Sequence, residues 1–354
     1  MITLAGLLIA AVATAAEPVQ LDLWKQGDGG VHTYRIPALL ETRKGALLAV
    51  VDARYDNSRD LPGRIALVMR TSRDKGKTWT PSRVIRQVES GGAGDASLLL
   101  DRKTGRVWCF YAYGPPGIGF PTAKPGARTG PETLQVHAMY SDDEGGTWSE
   151  AIDLTPQIKD PSWQAMFPTS GTHFQTSKGR YLVPVVVRHA DKVVRAHNAY
   201  SDDAGKNWRI GPPIGDQTDE SKAVELAGGV VLQNMRNGPR RAIARSTDGG
   251  VNFSAVSHDD ALIDPSCNAG IAQAGKLLIF TNAASTKRER LTVKISADGG
   301  KTWPRAKVLH EGPAAYSTVV PLRDGTIAVL YERGDQHAVE RITFARFRPD
   351  WVRQ

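Results

Sequence analysis

"SRDKGKTW", residues 72–79, sets a pattern that the chain repeats four more times: "SDDEGGTW" from 141, "SDDAGKNW" from 201, "STDGGVNF" from 246 and "SADGGKTW" from 296. Each copy has a serine, an aspartate two places on, a glycine two further and an aromatic three beyond that. A protein needs one active site, so five acidic copies argue for a building unit. Their starts lie 69, 60, 45 and 50 residues apart. That is the spacing of repeat architectures, in which each unit buries its faces against its neighbours. The flanks decide the type. "RIALVMRTS", "LQVHAMYS", "VRAHNAYS", "RAIARS" and "LTVKIS" each precede a copy and read as strands. Each copy is therefore a hairpin turn. The glycine supplies a positive φ, the aspartate accepts backbone N–H groups, and the closing aromatic packs between adjacent sheets with its indole N–H on a partner at the edge.

Further short strands lie between the copies ("GALLAVVDA", "RVWCFYAY", "RYLVPVVVR", "KLLIFTN", "TIAVLYE"), and long helical periodicity is nearly absent. About four strands per repeat predicts an all-β chain, a six-bladed β-propeller of four-stranded antiparallel blades running from about residue 20 to 354. The repeated boxes are expected at its rim, away from any pocket. Residues 1–16, "MITLAGLLIAAVATAA", are apolar and end in small residues, which reads as a signal peptide. Residues 17–354 then form one domain, expected to be secreted or periplasmic. No other stretch approaches 18 apolar residues, so stable membrane association is not expected.

A hydrophobic content of 41% and a charge content of 23% suit a globular chain able to bury a sizeable core. The net charge of +8 raises the question of nucleic acid. However, the densest basic clusters, "GPRRAIAR" and "TKRER", are short, and no aromatic–basic stripe accompanies them. Nucleic acid is not an expected partner. Eight scattered histidines and two cysteines form no metal-ligand spacing, so no metal site is predicted. Cys109 sits in the strand "RVWCFYAY" and reads as a free core thiol; whether it pairs with Cys267 stays open.

Arginines at strand ends remain to be explained. Arg35 interrupts "HTYRIPALL", Arg236 closes "VVLQNMRNG", and Arg288 and Arg290 precede "LTVKIS". Each alone reads as an arginine paired with a carboxylate. Strand ends of separate blades converge on a propeller axis, though, and guanidiniums gathered there call for an anion. A planar carboxylate fits their forked donors.

These motifs in this order resemble the exo-sialidase family. The likeness runs over essentially the whole chain after the leader: "YRIPAL" at 34–39, the five boxes, "ESKAVEL" ahead of "NMRN", "KRERLT", and "AYSTVVPLRDGTIAVLYERG". It implies an exo-α-sialidase, a retaining glycoside hydrolase that releases terminal sialic acid from a sialylated glycan. The resemblance assigns an arginine triad to Arg35, Arg236 and Arg288, with Arg288 preferred to Arg290. It makes Glu332 the carboxylate that holds Arg35 and Tyr316 the nucleophile. Glu220 becomes the base beside Tyr316, with Glu225 a weaker candidate, and Asp60 the acid/base. Each has a plainer alternative: a core tyrosine, a solvated loop carboxylate at Glu220, or Asp52 or Asp56 in place of Asp60. Arg54, Met69, Phe167 and Gln175 are candidates to line the pocket, Arg54 as a substrate-binding residue. Two departures stand out: "GRIALV" follows Asp60 without the usual polar residue, and "SCNAGIAQAGK" is poor in polar contacts.

The chemistry explains these residue types. Sialic acid carries a carboxylate on its anomeric carbon, which repels an anionic nucleophile; a neutral tyrosine avoids this. A phenol near pKa 10 then needs a base, and no metal or organic cofactor is called for. Two other classes share the residues: a propeller glycosidase or trans-sialidase acting on a related nonulosonic sugar, and a non-catalytic glycan-binding propeller.

Overall fold

A computed structural model describes residues 16–353. Nearly all of the predicted leader, residues 1–15, lies outside the described residues. The rest is all-β, with only two four-residue α-helices, Thr155–Ile158 and Asp350–Arg353, among the described residues. The strands form five sheets of seven, five, five, four and four strands. Uniform four-stranded sheets were expected, and the differences have local causes. The seven-stranded sheet is two four-stranded sets joined by one long strand, Arg305–Pro321. Its first half pairs with Glu289–Ser296 and its second with Ile327–Arg333. Each five-stranded sheet gains a two-residue strand, Gly171–Thr172 or Phe174–Gln175.

Burial follows strand position. The second strands, such as Leu47–Arg54 and Tyr181–Arg188, are buried almost throughout. They read as continuous apolar runs because both faces are covered by adjoining sheets. Outermost strands, such as Arg83–Arg86 and Ile152–Asp153, are short and part-exposed, which limits the open edge each sheet presents. The chain's first strand, Val19–Lys25, pairs antiparallel with Arg341–Phe347 and completes the last sheet. Polar bonds tie neighbouring first strands: Thr172 Oγ1 donates to the Leu39 carbonyl, and Thr169 Oγ1 to that of Ser221.

The five boxes are turns between paired strands. In the first, the Gly76 N–H donates to Ser72 Oγ at 2.8 Å, while the Thr78 N–H and hydroxyl both donate to Asp74. Such bonds from within the turn hold Asp74, Asp143 and Asp203 ionised, at about 2. None of the box aspartates lines the pocket described below. The turn differs from expectation in one respect: the residue before each glycine also has positive φ, including Lys75, Glu144 and Ala204. Glycine is required at the next position for a further reason. A Cβ on Gly76 would stand 2.3 Å from Phe344, and one on Gly205 2.6 Å from Trp108, each in the adjoining sheet. The closing indoles pack the same way, Trp79 on Phe344 and Trp208 on Phe110. Their N–H groups turn back onto Gly76 and Gly205 carbonyls, whereas that of Trp148 has no partner among the described residues.

Both cysteines are free and buried. No helix among the described residues is long and apolar enough to cross a membrane. Gly76→Ala should destabilise the fold by about 2–4 kcal/mol through left-handed strain and overpacking. The urea midpoint should fall; an unchanged midpoint would deny the box its structural role.

Candidate active site

The site is built where three first strands bulge. The pairing register slips between Arg35 and Ala38, between Gly94 and Ser97, and between Ala314 and Ser317. Inside the first two bulges Ile36 (φ 63°) and Asp95 (φ 58°) take the left-handed conformation, costly for both and most of all for a β-branched residue. Bulges re-aim side chains. These three sit at Arg35, Asp95 and Tyr316. Glu332, fully buried, anchors two of them. Its oxygens accept from Arg35 Nε and Nη2 at 3.0 and 3.1 Å, from the Ile36 N–H at 2.9 Å and from the Tyr316 N–H at 3.1 Å.

Glu220 and Arg236 meet for a reason of register. The hairpin pairs Ser221 with Met235, so the next residues out lie opposite, and the Arg236 N–H donates to the Glu220 carbonyl. Arg236 Nη1 then reaches Glu220 Oε2 at 2.7 Å and Tyr316 Oη at 3.0 Å. The Tyr316 hydroxyl donates to the same Glu220 oxygen. Burial and the Glu220 charge push the Tyr316 phenol well above its ordinary value, against the pull of Arg236 and Arg35. The tyrosine is thus neutral at neutral pH, with its proton aimed at a carboxylate.

Around its ring lie the other arginines, Arg35 at 5.0 Å and Arg288 at 5.6 Å from the centroid. Arg35 is compensated by Glu332, and Arg236 by Glu220 and Asp219. The exposed Arg288 guanidinium donates to the Ser266 carbonyl and has no carboxylate partner among the described residues. Arg290 points elsewhere, toward Glu311.

Asp60 is exposed, with Arg54 Nη1 at 2.7 Å and Arg35 Nη1 at 3.9 Å from its Oδ1. Desolvation pushes its carboxyl up, but Arg54 and Arg35 outweigh this and hold it below the ordinary value. Arg54 is itself buried beneath Asp60, shared with Asp52 and the Ser58 carbonyl. Beside Asp52, which accepts its N–H, stands Asp95, a lining residue that the sequence reading missed. Burial, then the charges of Asp52, Asp60 and Glu220, push it well above the usual carboxylate range. Its one available signal was an acid amid the apolar run "AGDASLLL".

The pocket's opposite wall is apolar, with Leu61, Phe120 and Phe167 among its lining residues, the two phenylalanine rings edge to face. Three other readings are corrected. Met69 is a core residue packed under the Gly145 turn, buried between two sheets. Gln175 binds the Arg102 N–H and lines a separate cavity with Glu41 and Arg323. Glu225 binds Ser177 and does not line the pocket. The segment read as poor in polar contacts supplies Asn268, whose amide reaches Glu220 Oε1 at 3.4 Å.

Comparison with known proteins agrees with this arrangement. Residues 45–329 match the family model for a BNR repeat-like domain. A sialidase of Micromonospora viridifaciens is 37% identical over 97% of this chain and 56% of its own length. One from Bacteroides fragilis is 36% identical over 88% of this chain and 62% of its own length. Among solved structures, a Hadza microbial sialidase superposes with a TM-score of 0.87 at 32% identity, covering 94% of this chain and 69% of that one. The chain belongs to the BNR-repeat sialidase family. It spans a little over half the length of the two curated relatives.

The Asp60–Arg54 contact makes a prediction that needs no substrate. In Arg54→Gln the Asp60 carboxyl should titrate at higher pH, because the nearest stabilising charge is gone. Carboxyl NMR would read the shift, and an unchanged titration would deny Arg54 that role.

Proposed function

We propose that residues 17–354 form the catalytic domain of an exo-α-sialidase, a six-bladed propeller exported behind the leader at 1–16. The observation that carries this reading is the Tyr316 hydroxyl shared between Glu220 and Arg236 at the pocket floor. A neutral phenol with a carboxylate on its proton is a nucleophile awaiting an electrophilic carbon. Three guanidiniums beside it, one with no carboxylate partner among the described residues, favour a substrate that carries its own carboxylate next to that carbon. The apolar wall suits an apolar substituent on the sugar.

In this mechanism Arg35, Arg236 and Arg288 bind the substrate carboxylate and orient the ring. Tyr316 Oη attacks the anomeric carbon and passes its proton to Glu220. Asp60 gives a proton to the departing glycosidic oxygen. It later takes one from the water that breaks the tyrosyl bond, and Glu220 returns its proton to the phenol. Asp60 is ionised in the free protein, held low by two arginines. It must therefore gain a proton before the first step. For natural glycosides kcat/KM should accordingly fall as pH rises from the acid side.

Tyr316→Phe should fold, bind a sialic-acid transition-state analogue and lose most turnover. A 3-fluorosialyl fluoride should label the unaltered protein at Tyr316, as peptide mass spectrometry would show. Labelling at a carboxylate, or near-normal turnover in the variant, would overturn the tyrosine mechanism. Identification of the released sugar separates sialic acid from a related nonulosonic acid and hydrolysis from transfer. Arg236→Lys should raise KM and lower kcat although the charge is kept, because a lysine lacks the fork.

A further inference from the structure

The strand Ser221–Glu225 follows directly on Glu220, and alternation puts residues 220 and 222 on one face. Residue 222 is a lysine, 2% exposed, with no carboxylate within ion-pair distance among the described residues. Its ammonium makes one hydrogen bond, from Nζ to Asn268 Oδ1 at 2.7 Å. Asn268 is equally buried, and its Nδ2 donates to Ser170 Oγ at 2.9 Å and to Glu220 Oε1 at 3.4 Å. The loop carrying Asn268 is held in turn. The buried Arg241 side chain binds both Asp264 and the Cys267 carbonyl, and the Cys267 N–H donates to Asp264.

An amide can present either end, and what faces it decides which. An ammonium has only donors, so the oxygen of Asn268 must face Lys222 and the NH2 must face Glu220. Glu220 Oε1 is thereby occupied, and Oε2 is left to Tyr316 and Arg236. We propose that Lys222, acting through Asn268, is a positioning residue that fixes which oxygen of Glu220 receives the Tyr316 proton. This rests on the sialidase reading above.

The lysine can be switched. Burial, partly offset by the Glu220 charge and aided by Arg241, lowers its value to about 7. The charged or titratable groups facing it are Glu220 just before its own strand, Arg241 on Arg240–Ser246 two strands away in the same sheet, and His173 beyond the Gly171–Thr172 strand. Glu220 itself also faces Arg236, Tyr316, Asp219, Asp95 and Cys267. Once deprotonated, the amine gains a lone pair. It can then accept as well as donate, so the lysine no longer reinforces the amide orientation that Glu220 requires, and the Asn268–Glu220 contact is held less firmly.

The test uses an aryl sialoside whose phenol leaves without protonation, so Asp60 does not limit the first step. The pre-steady-state burst of phenol then reports attack by Tyr316 alone. In the unaltered protein the burst rate should fall as pH rises through about 7. Lys222→Met keeps the stem and removes a buried charge, a change that cores often tolerate. It should lower the burst rate roughly 10- to 100-fold, as expected for a misplaced reacting group. It should also abolish the limb near 7 and leave KM within about twofold, since Lys222 is not placed to touch substrate. Asn268→Ala should give the same flat, slow profile, and the double variant should be no slower than either single one. Should Lys222→Met fail to fold, Asn268→Ala alone carries the test. Either soluble variant retaining the burst rate and the limb overturns the proposal. A purely structural role would lower the unfolding midpoint and leave the pH profile in place, which also overturns it. If the unaltered protein releases no phenol at all, the sialidase reading itself fails.

Discussion

Four hydrogen bonds end on one carboxylate that no solvent reaches. Glu332 comes from the last sheet. Its two oxygens hold the Arg35 fork and the Ile36 N–H of the first sheet, and the Tyr316 N–H of its own. The first and last sheets are thus joined at the candidate site. A buried ion pair returns little net stability, because both charges were desolvated to make it, but removing one partner typically costs about 3–5 kcal/mol. The contact therefore acts chiefly on geometry. It holds Ile36 in a backbone conformation that an isoleucine otherwise avoids, and it sets Arg35 against the Tyr316 ring. A shift of this carboxylate would move both.

The carboxyl groups around the pocket show how environment sorts one functional group into several roles. Glu332 has its lone pairs filled and is inert. Glu220 divides its oxygens, one toward Asn268 and one toward the tyrosine. Asp60 stands exposed beside two guanidiniums and stays ionised. Asp95 is buried among other acids and favours its neutral form. Four acids of similar intrinsic strength thus present a clamp, a hydrogen-bond acceptor, an exposed anion and a buried acid that favours its neutral form. Position in the fold makes the difference, through burial and through the charge that lies nearest.

Much of this was legible in the sequence, and the reason is periodicity. Five boxes with strands on either side declare sheets joined by hairpins. Arg35 and Arg236 stand out because strand ends seldom need a guanidinium. Glu220 was reached through the family resemblance, and the hairpin register explains why it falls opposite Arg236. What stayed hidden depends on contacts between distant segments. Asp95 looks like an acid on a turn until its bulge rotates it inward. Asn268 lies in a bland stretch, and its role exists only because Lys222, 46 residues earlier, meets it from the adjoining sheet. Met69 and Gln175 were misplaced for the complementary reason: a strand's alternation does not say whether a side chain meets a neighbouring sheet, as Met69 does, or a different cavity, as Gln175 does. The double left-handed turn of the boxes was masked by the lysine, glutamate and alanine that occupy its first position in three of the five, although Gly249 and Gly299 stand there in the other two.

The pairing of Val19–Lys25 with Arg341–Phe347 has a consequence for how the molecule comes into being. A ribosome makes the first of these strands more than three hundred residues before the second. Until then it has no partner, and the sheet it belongs to does not exist. Intermediate sheets can form from sequential hairpins as they emerge, which is fast and local. The final sheet must wait for these two distant strands to meet, the slowest kind of contact to establish. Until they do, Arg341–Phe347 is an open strand edge able to pair with the same strand of another molecule. The hazard in this protein's life thus falls in the interval before Val19–Lys25 finds Arg341–Phe347.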